Sequence, residues 1–220
     1  MIENINKYID HTILKPFAGE KEIKKLCDEA IAMNSASVCI NPCNVALARR
    51  LLEGTDIEVC TVIGFPLGQN TTAIKAAETE QAYNDGCQEF DMVINVGALH
   101  DKRYEYVKND IEAVVKAAKG RTVKVIIETF YLSDEEKVIA CKLATEAGAH
   151  FVKTCTGFNE GVATVDDIKL MKESVGEGVL VKASSGIRTY EQAKALIDAG
   201  ASRLGTSSGA AIIEGWNNTK

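Results

Sequence analysis

The stretch VKVIIETFYLSDEEKVIACKLATEAGAHFVK, residues 123–153, contains one complete strand–helix–strand unit. The apolar run that opens it is followed by a polar loop, in which Ser133 and Glu136 have the spacing of a helix-capping box. Gly148 follows the apolar helical stretch as a C-cap, and a second apolar run begins at Phe151. Two strands joined through a helix lie parallel. The stretch therefore predicts a βαβ unit.

The same alternation of a short apolar run and a helical stretch recurs along the whole chain. About eight such units in a chain of 220 residues close naturally into a barrel. The pattern predicts an α/β fold, namely a (β/α)8 TIM barrel in which helices surround eight parallel strands. The strands are expected at residues 8–13, 37–40, 58–63, 89–95, 123–128, 151–153, 179–182 and 203–205.

A doubly wound open sheet is the alternative fold for this pattern. Dinucleotide-binding sheets of that type carry a Gly-rich turn directly after their first strand. Residues 11–14 (HTIL) contain no glycine. The closed barrel is therefore favoured.

The composition indicates one domain over residues 1–220, because 46% of the residues are hydrophobic and 25% are charged, without a linker-like segment. A formal net charge of -6 argues against a nucleic acid or an anionic membrane as partner, since both require clustered Lys and Arg. Charged residues interrupt the apolar N-terminus, and no other run could span a bilayer. We therefore expect a cytoplasmic protein.

A metal site is not expected. The seven cysteines include no CxxC pair, and most lie inside apolar runs, which is typical of small buried side chains. His11, His100 and His150 are far apart and have no metal-ligand spacing. The sequence leaves open whether Cys39, near the second strand, is accessible.

Polar and ionisable side chains recur near the predicted strand ends, where TIM barrels hold their active sites. Asp10 and Glu128 are expected to close the first and fifth strands. Alternation along the fourth strand places Phe90 and Met92 on one face and Asp91 on the other, so Asp91 is expected to point into the barrel. A carboxylate there requires a cation, a polar network or a bound substrate.

Lys153 and Lys182 are expected to end the sixth and seventh strands, which are neighbours in a barrel. Two ammonium groups would then share one pocket. A free lysine has a pKa of about 10.4, and a second cation with partial desolvation lowers that value, which favours a nucleophilic amine. A lysine that extends to solvent is the alternative for each residue alone. Lys124, near the start of the fifth strand, is interpreted as structural or solvent-facing.

Two loops of small residues are expected after the seventh and eighth strands, at residues 183–186 (ASSG) and 205–209 (GTSSG). TIM barrels often bind phosphate between these loops, and the second loop leads into an apolar segment whose helical N-terminus would offer N–H groups to an anion. Tight turns and helix caps are the alternative interpretation. The loop at residues 64–68 (GFPLG) is assigned no chemistry.

Four motifs closely resemble the deoxyribose-phosphate aldolase family: Ile9-Asp10-His11-Thr12, Glu89-Phe90-Asp91-Met92-Val93-Ile94-Asn95, Phe151-Val152-Lys153-Thr154 and Val181-Lys182-Ala183. The resemblance extends in order through residues 182–189 and 205–208 and covers nearly the whole chain. It implies a class I aldolase, a lyase that reversibly cleaves 2-deoxy-D-ribose 5-phosphate to D-glyceraldehyde 3-phosphate and acetaldehyde through a lysine Schiff base in deoxynucleoside catabolism. It also implies that no metal or organic cofactor is used.

The resemblance implies a role for each matched residue. Lys153 matches the Schiff-base lysine, Lys182 the lysine that tunes it, and Asp91 the proton-transfer residue. Asp10 matches the carboxylate that supports Lys182. The phosphate group of the phosphosugar substrate is expected on Thr154, Gly157, Gly186, Gly205, Ser207 and Ser208.

The chain departs from the family pattern at three positions. Ser185 stands where relatives often have Gly, Phe130 replaces a smaller residue, and Phe158 stands where some relatives carry Lys. Two other functions stay open: a phosphosugar isomerase or epimerase that uses Asp91 and Glu128 as acid and base, and a non-catalytic phosphosugar-binding regulator. A homodimer or a homotetramer is expected.

Overall fold

The computed structural model of the chain describes residues 2–219. Its eight parallel strands pair in chain order and close into a barrel, because the first strand is hydrogen-bonded to the last. The predicted TIM barrel is confirmed, and the open doubly wound sheet is excluded. The strands are β1 (Ile9–Ile13), β2 (Ser37–Ile40), β3 (Glu58–Ile63), β4 (Glu89–Val93), β5 (Thr122–Ile126), β6 (Phe151–Lys153), β7 (Leu180–Ser184) and β8 (Arg203–Thr206).

Helices surround the barrel and connect successive strands. Both predicted capping boxes are confirmed, at Ser133 with Glu136 and at Thr189 with Gln192. No helix within residues 2–219 is long and apolar enough to cross a lipid bilayer. The helices are α1 (Glu20–Met33), α2 (Val45–Leu51), α3 (Thr72–Asn84), α4 (Val96–His100), α5 (Tyr104–Ala117), α6 (Asp134–Glu146), α7 (Val165–Ser174), α8 (Tyr190–Asp198) and α9 (Gly209–Asn217), with 3-10 turns at Ile5–Tyr8, Pro42–Asn44 and Thr129–Tyr131.

Strand alternation divides the interior into an apolar layer and a polar centre. In β4, Phe90 and Met92 are fully buried in the core that the strands share with the helices. Asp91, between them, contacts lysines of other strands across the barrel interior. The predicted orientation of Asp91 is therefore confirmed.

Several predicted strand limits are wrong, and the errors have two causes. Asp10 is the second residue of β1 rather than its last, and Lys182 lies in the middle of β7. The strands of a barrel are tilted and staggered, so side chains that meet in one interior layer occupy different positions in their own strands. In addition, β4 ends at Val93 because the Asn95 side chain caps α4 by accepting a hydrogen bond from Ala98 N at 2.9 Å.

Candidate active site

Asp91 lies at the centre of a buried group of lysines. Its Oδ2 accepts hydrogen bonds from Lys153 Nζ and from Lys182 Nζ, each at 2.7 Å, and its Oδ1 accepts one from Lys124 Nζ at 2.9 Å. The two predicted lysines are register partners on β6 and β7. Because their nitrogens share one oxygen, they can be no further apart than twice that distance. The structure thus brings Lys153, Lys182 and Asp91 together, as expected.

Asp10 extends this group toward β8. Its Oδ2 lies 2.5 Å from Lys182 Nζ, and its Oδ1 accepts hydrogen bonds from the Ser37 hydroxyl at 2.7 Å and from the Arg203 guanidinium. Arg203 also donates to both carboxylate oxygens of Glu89, at 3.0 and 2.8 Å. Asp10 is therefore placed to support Lys182, and it is itself fixed by two further donors.

Of the two interpretations of Lys124, structural or solvent-facing, the solvent-facing one is wrong. Its side chain is fully buried, and its ammonium group lies 2.7 Å from Glu89 Oε2, 2.9 Å from Asp91 Oδ1 and 3.7 Å from Asp10 Oδ2. Burial alone would lower the pKa of Lys124, but the surrounding carboxylates raise it well above its ordinary value. Alternation in β5 predicts this orientation, since Lys124 lies between the core residues Val123 and Val125 and so faces the barrel interior.

The charges in this group stabilise one another. Burial favours neutral Asp91, but the three ammonium groups around it hold the pKa of this carboxyl well below its usual range. Burial likewise opposes ionisation of Asp10, and Arg203 together with Lys182 lowers its pKa nevertheless. Burial favours neutral Lys182, but Asp10 and Asp91 raise its pKa above the ordinary value. Asp91 is therefore a carboxylate and Lys182 a permanent cation near neutral pH.

Two thiols also face Asp91, and one of them is that of Cys39, whose accessibility the sequence leaves open. Cys39 and Cys60 are register partners on β2 and β3, both fully buried, and Cys60 Sγ donates to Asp91 Oδ1 at 3.2 Å. Their sulfur atoms and an Asp91 oxygen lie within 4.8 Å of one another. The hydrogen bond with Cys60 lowers the pKa of Cys39. Spacing along the chain could not predict this group, because the two cysteines meet only through strand pairing.

A cavity of about 800 Å3 opens from Lys153 toward the loops that follow β6, β7 and β8. Thr154, which was also expected to bind phosphate, does not line this cavity. It is fully buried, and its hydroxyl group bonds to the backbone N and O of Ser184. The absence of a side chain at Gly205 leaves space for Lys182, because a Cβ on Gly205 would lie 3.1 Å from Lys182 Cε. The cavity is lined by five of the six predicted phosphate-binding residues: Gly157, Gly186, Gly205, Ser207 and Ser208.

Two of the three departures from the family pattern, Ser185 and Phe158, line this cavity. Ser185 has φ 80°, the left-handed region that favours glycine, and its hydroxyl donates to Gly161 O at 2.7 Å. Phe158 lines the cavity and packs edge-on against Phe65, with ring centroids 5.1 Å apart. The loop at residues 64–68, which is assigned no chemistry from the sequence, thus supplies an aromatic ring that packs against a residue of the cavity lining. Phe130 is half-exposed and packs against Tyr131.

Glu128 is not part of the Asp91 group. Its carboxylate accepts hydrogen bonds from Thr156 N at 3.2 and 3.3 Å, and it lines a second cavity of about 320 Å3 beside Val93 and Tyr131. The two carboxylates on which the isomerase alternative depends therefore do not share a site, since Asp91 is fully buried among the lysines and Glu128 lines a separate cavity.

The chain as a whole also matches a known protein family. Residues 5–215 match the family model described as DeoC/LacD family aldolase. The chain belongs to this family of aldolases. Membership favours carbon–carbon bond chemistry over the isomerase or epimerase alternative.

Individual relatives support the same assignment. A protein of Clostridium novyi named deoxyribose-phosphate aldolase is 59% identical over 213 residues, which cover 96% of each chain. A solved structure described as QR15, an aldolase, superposes with a TM-score of 0.93 at 41% identity and covers 99% of this chain and 97% of its own. The deoxyribose phosphate aldolase from Aeropyrum pernix, described as a unique tetramer, has a TM-score of 0.91 at 30% identity, with 98% and 92% coverage.

Proposed function

We propose that this protein is a class I aldolase that reversibly cleaves 2-deoxy-D-ribose 5-phosphate to D-glyceraldehyde 3-phosphate and acetaldehyde, with Lys153 as the Schiff-base residue. The observation that carries the proposal is the difference between the three lysines. Lys153 contacts one carboxylate and lines the cavity, whereas Lys182 contacts two carboxylates and Lys124 three. Loss of a proton therefore breaks the fewest ion pairs at Lys153, the lysine that a substrate reaches.

The reaction begins with neutral Lys153 attacking the C1 aldehyde of the open-chain sugar. The carbinolamine loses water and becomes an iminium ion, which draws electrons from the C2–C3 bond. That bond breaks as the C3 hydroxyl loses its proton, so the three-carbon aldehyde phosphate leaves and a two-carbon enamine stays on Lys153. Protonation at C2 and hydrolysis release acetaldehyde and restore the amine.

Asp91 carries protons in this scheme. It is a poor base while three ammonium groups surround it, because each one stabilises its ionised form. Conversion of Lys153 to a neutral amine removes one of these cations and makes Asp91 a better proton acceptor. Lys182 stays charged beside it, held by Asp10, and supplies the positive field that favours a neutral partner at Lys153.

The phosphate group is proposed to lie at the far end of the cavity. The loops after β6 and β7 present backbone with positive φ at Gly157 and Gly186, 80° and 77°, a geometry that turns N–H groups toward an anion. Ser207 and Ser208 precede α9, whose N-terminus also attracts negative charge. Thr154 is proposed to act indirectly, through its bonds to Ser184 on the neighbouring strand.

Reductive trapping tests the proposal. Incubation with 2-deoxy-D-ribose 5-phosphate and borohydride is expected to leave an ethyl or sugar group on the peptide that contains Lys153, as read by peptide mass analysis. Lys153→Met should abolish both trapping and cleavage, while Lys142→Met, on the outer helix α6, is the matched control. Turnover without any adduct would reject the Schiff base, and a label on Lys182 would reverse the roles of the two lysines.

We also propose that residues 1–220 form one domain, that the protein is cytoplasmic, and that it forms a homodimer or a homotetramer. It is proposed to bind a phosphosugar and to use no metal or organic cofactor. The relative from Aeropyrum pernix is described as tetrameric. Size-exclusion chromatography with light scattering measures the oligomeric state directly. A monomer at micromolar concentration would contradict the proposed homodimer or homotetramer.

A further inference from the structure

His11 is a buried histidine at the edge of the 800 Å3 cavity, and it has no role in the proposed reaction. It is 3% exposed, lies on β1 and lines the cavity together with Ser207 and Ser208. Its Nε2 lies 2.8 Å from Glu29 Oε2 on α1. Within residues 2–219, its Nδ1 has no hydrogen-bond partner. A buried polar nitrogen without a partner is costly unless a ligand completes it.

The unpartnered nitrogen lies at the start of α9. A Cβ on Gly209, the first residue of that helix, would lie 3.2 Å from His11 Nδ1. Gly209 directly follows Ser208, and His11 is the register partner of Thr206 on β8. The N-terminus of a helix attracts anions through its free N–H groups and its dipole. Two independent features, the helix start and the buried nitrogen, therefore converge on the end of the cavity proposed to hold phosphate.

Within residues 2–219, no buried Lys or Arg side chain other than Lys153 lines this cavity. Lys15, Lys25 and Arg188 line the cavity but are exposed. Phe158 also lines the cavity, and it packs against Phe65 and offers no charge. A bound phosphate monoester carries between one and two negative charges near neutral pH. A protonated histidine would offset part of that charge where solvent is excluded.

The hydrogen bond to Glu29 fixes which form of the imidazole can donate to phosphate. A carboxylate accepts, so Nε2 carries the proton in the neutral ring and Nδ1 carries none. Nδ1 becomes a donor only in the imidazolium form. Glu22, on the same helix as Glu29, also lines the cavity. Glu29 is itself 3.7 Å from Lys25, Asp10 points to the barrel interior, and the register partners Val38 and Thr206 are uncharged.

The first turn of α9 contains no acidic residue, so this helix adds no competing carboxylate. We propose that His11 is a specificity-determining residue for phosphorylated substrates. It takes up a proton from solvent when the phosphate group binds and then donates from Nδ1 to a phosphate oxygen, while Glu29 holds Nε2. The inference rests on the proposed function for the location of the phosphate group.

Two amide substitutions separate the two ring nitrogens. In His11→Asn the amide group replaces Nδ1 and loses Glu29, whereas in His11→Gln it replaces Nε2 and leaves the phosphate without a donor. Losing a hydrogen bond to a charged group lowers affinity by roughly tenfold to a hundredfold. We expect His11→Gln to raise KM for 2-deoxy-D-ribose 5-phosphate by that factor. It should leave kcat/KM for unphosphorylated 2-deoxy-D-ribose within about twofold, and His11→Asn should retain most of the phosphate preference.

Calorimetry with inorganic phosphate provides a readout that is independent of turnover. Titrations in two buffers of different ionisation enthalpy should show proton uptake by the wild type and none by either variant. The inference is overturned if His11→Gln lowers kcat/KM equally for both sugars, which indicates a structural role, or if wild-type phosphate binding takes up no proton. A wild type that binds phosphate with proton uptake but cleaves neither sugar contradicts the proposed function instead.

Discussion

Replacement of Lys182 by Met removes the cation that is proposed to keep Lys153 reactive. The two nitrogens share Asp91 Oδ2, which sets a separation of roughly 5 Å at most. At an effective dielectric constant of about 20, unit charges at that separation repel by about 3 kcal/mol. That energy corresponds to roughly two pH units. We therefore expect the pH midpoint for borohydride trapping at Lys153 to rise by about two units in Lys182→Met.

The assay follows the initial trapping rate against pH, with saturating 2-deoxy-D-ribose 5-phosphate and peptide mass analysis of the product. Lys182→Arg is the matched control, because it keeps a positive charge between Asp10 and Asp91. Its midpoint should stay close to that of the wild type. An unchanged midpoint in Lys182→Met, or equal shifts in both variants, would show that the charge of Lys182 does not tune the amine.

The same substitution also affects stability. Breaking a buried ion pair costs about 3–5 kcal/mol when one charge is left unpaired. Asp10 keeps Arg203, and Asp91 keeps two lysines, so the loss should lie near the lower limit of that range. Denaturant unfolding of both variants checks this value and establishes that the trapping assay compares folded proteins.

Three other predictions follow from the site and its surroundings. The lowered pKa values of Asp10 and Asp91 stabilise the folded protein fully above about pH 4, and this stabilisation is lost as the pH falls further. The free energy of unfolding of Asp10→Asn, measured with denaturant, should therefore fall less steeply at acid pH than that of the wild type. Ser185→Ala loses the hydrogen bond to Gly161 but keeps the unfavourable positive φ, so it should be destabilised by about 1 kcal/mol. Ser185→Gly loses the same bond but adopts a positive φ without strain, so its thermal unfolding should stay close to that of the wild type. Phe158→Lys should lower KM for 2-deoxy-D-ribose 5-phosphate several-fold, and an equal change with unphosphorylated deoxyribose would contradict a phosphate contact.

The sequence predicts the barrel well because each βαβ unit is local. Three strands, 37–40, 58–63 and 151–153, have exactly their predicted limits in the structure. The errors concern positions within strands, since strand tilt and stagger are properties of the closed barrel rather than of any one segment. For this reason Lys182 could be assigned to its strand, but its place in the middle of that strand could not be predicted.

The same distinction explains which site residues were predicted. Alternation along β4 correctly predicts that Asp91 faces the barrel interior. The same rule, applied to β5, would have placed Lys124 inside as well. Arg203 and Cys60 carry no comparable signal: Arg203 reaches Asp10 from the far end of the chain, and Cys60 meets Asp91 through pairing between β3 and β4.

The charge balance of the interior gives the proposed chemistry a physical basis beyond the single pair of lysines. Four cations, Lys124, Lys153, Lys182 and Arg203, contact three carboxylates, Asp10, Glu89 and Asp91. With every group ionised, this buried group carries one excess positive charge, which a low-dielectric interior disfavours. Loss of one proton makes it neutral. Arg203 cannot supply that proton, and Lys124 and Lys182 are each held by more carboxylates than Lys153, so this charge composition supports the proposed Schiff-base role of the lysine that faces the cavity.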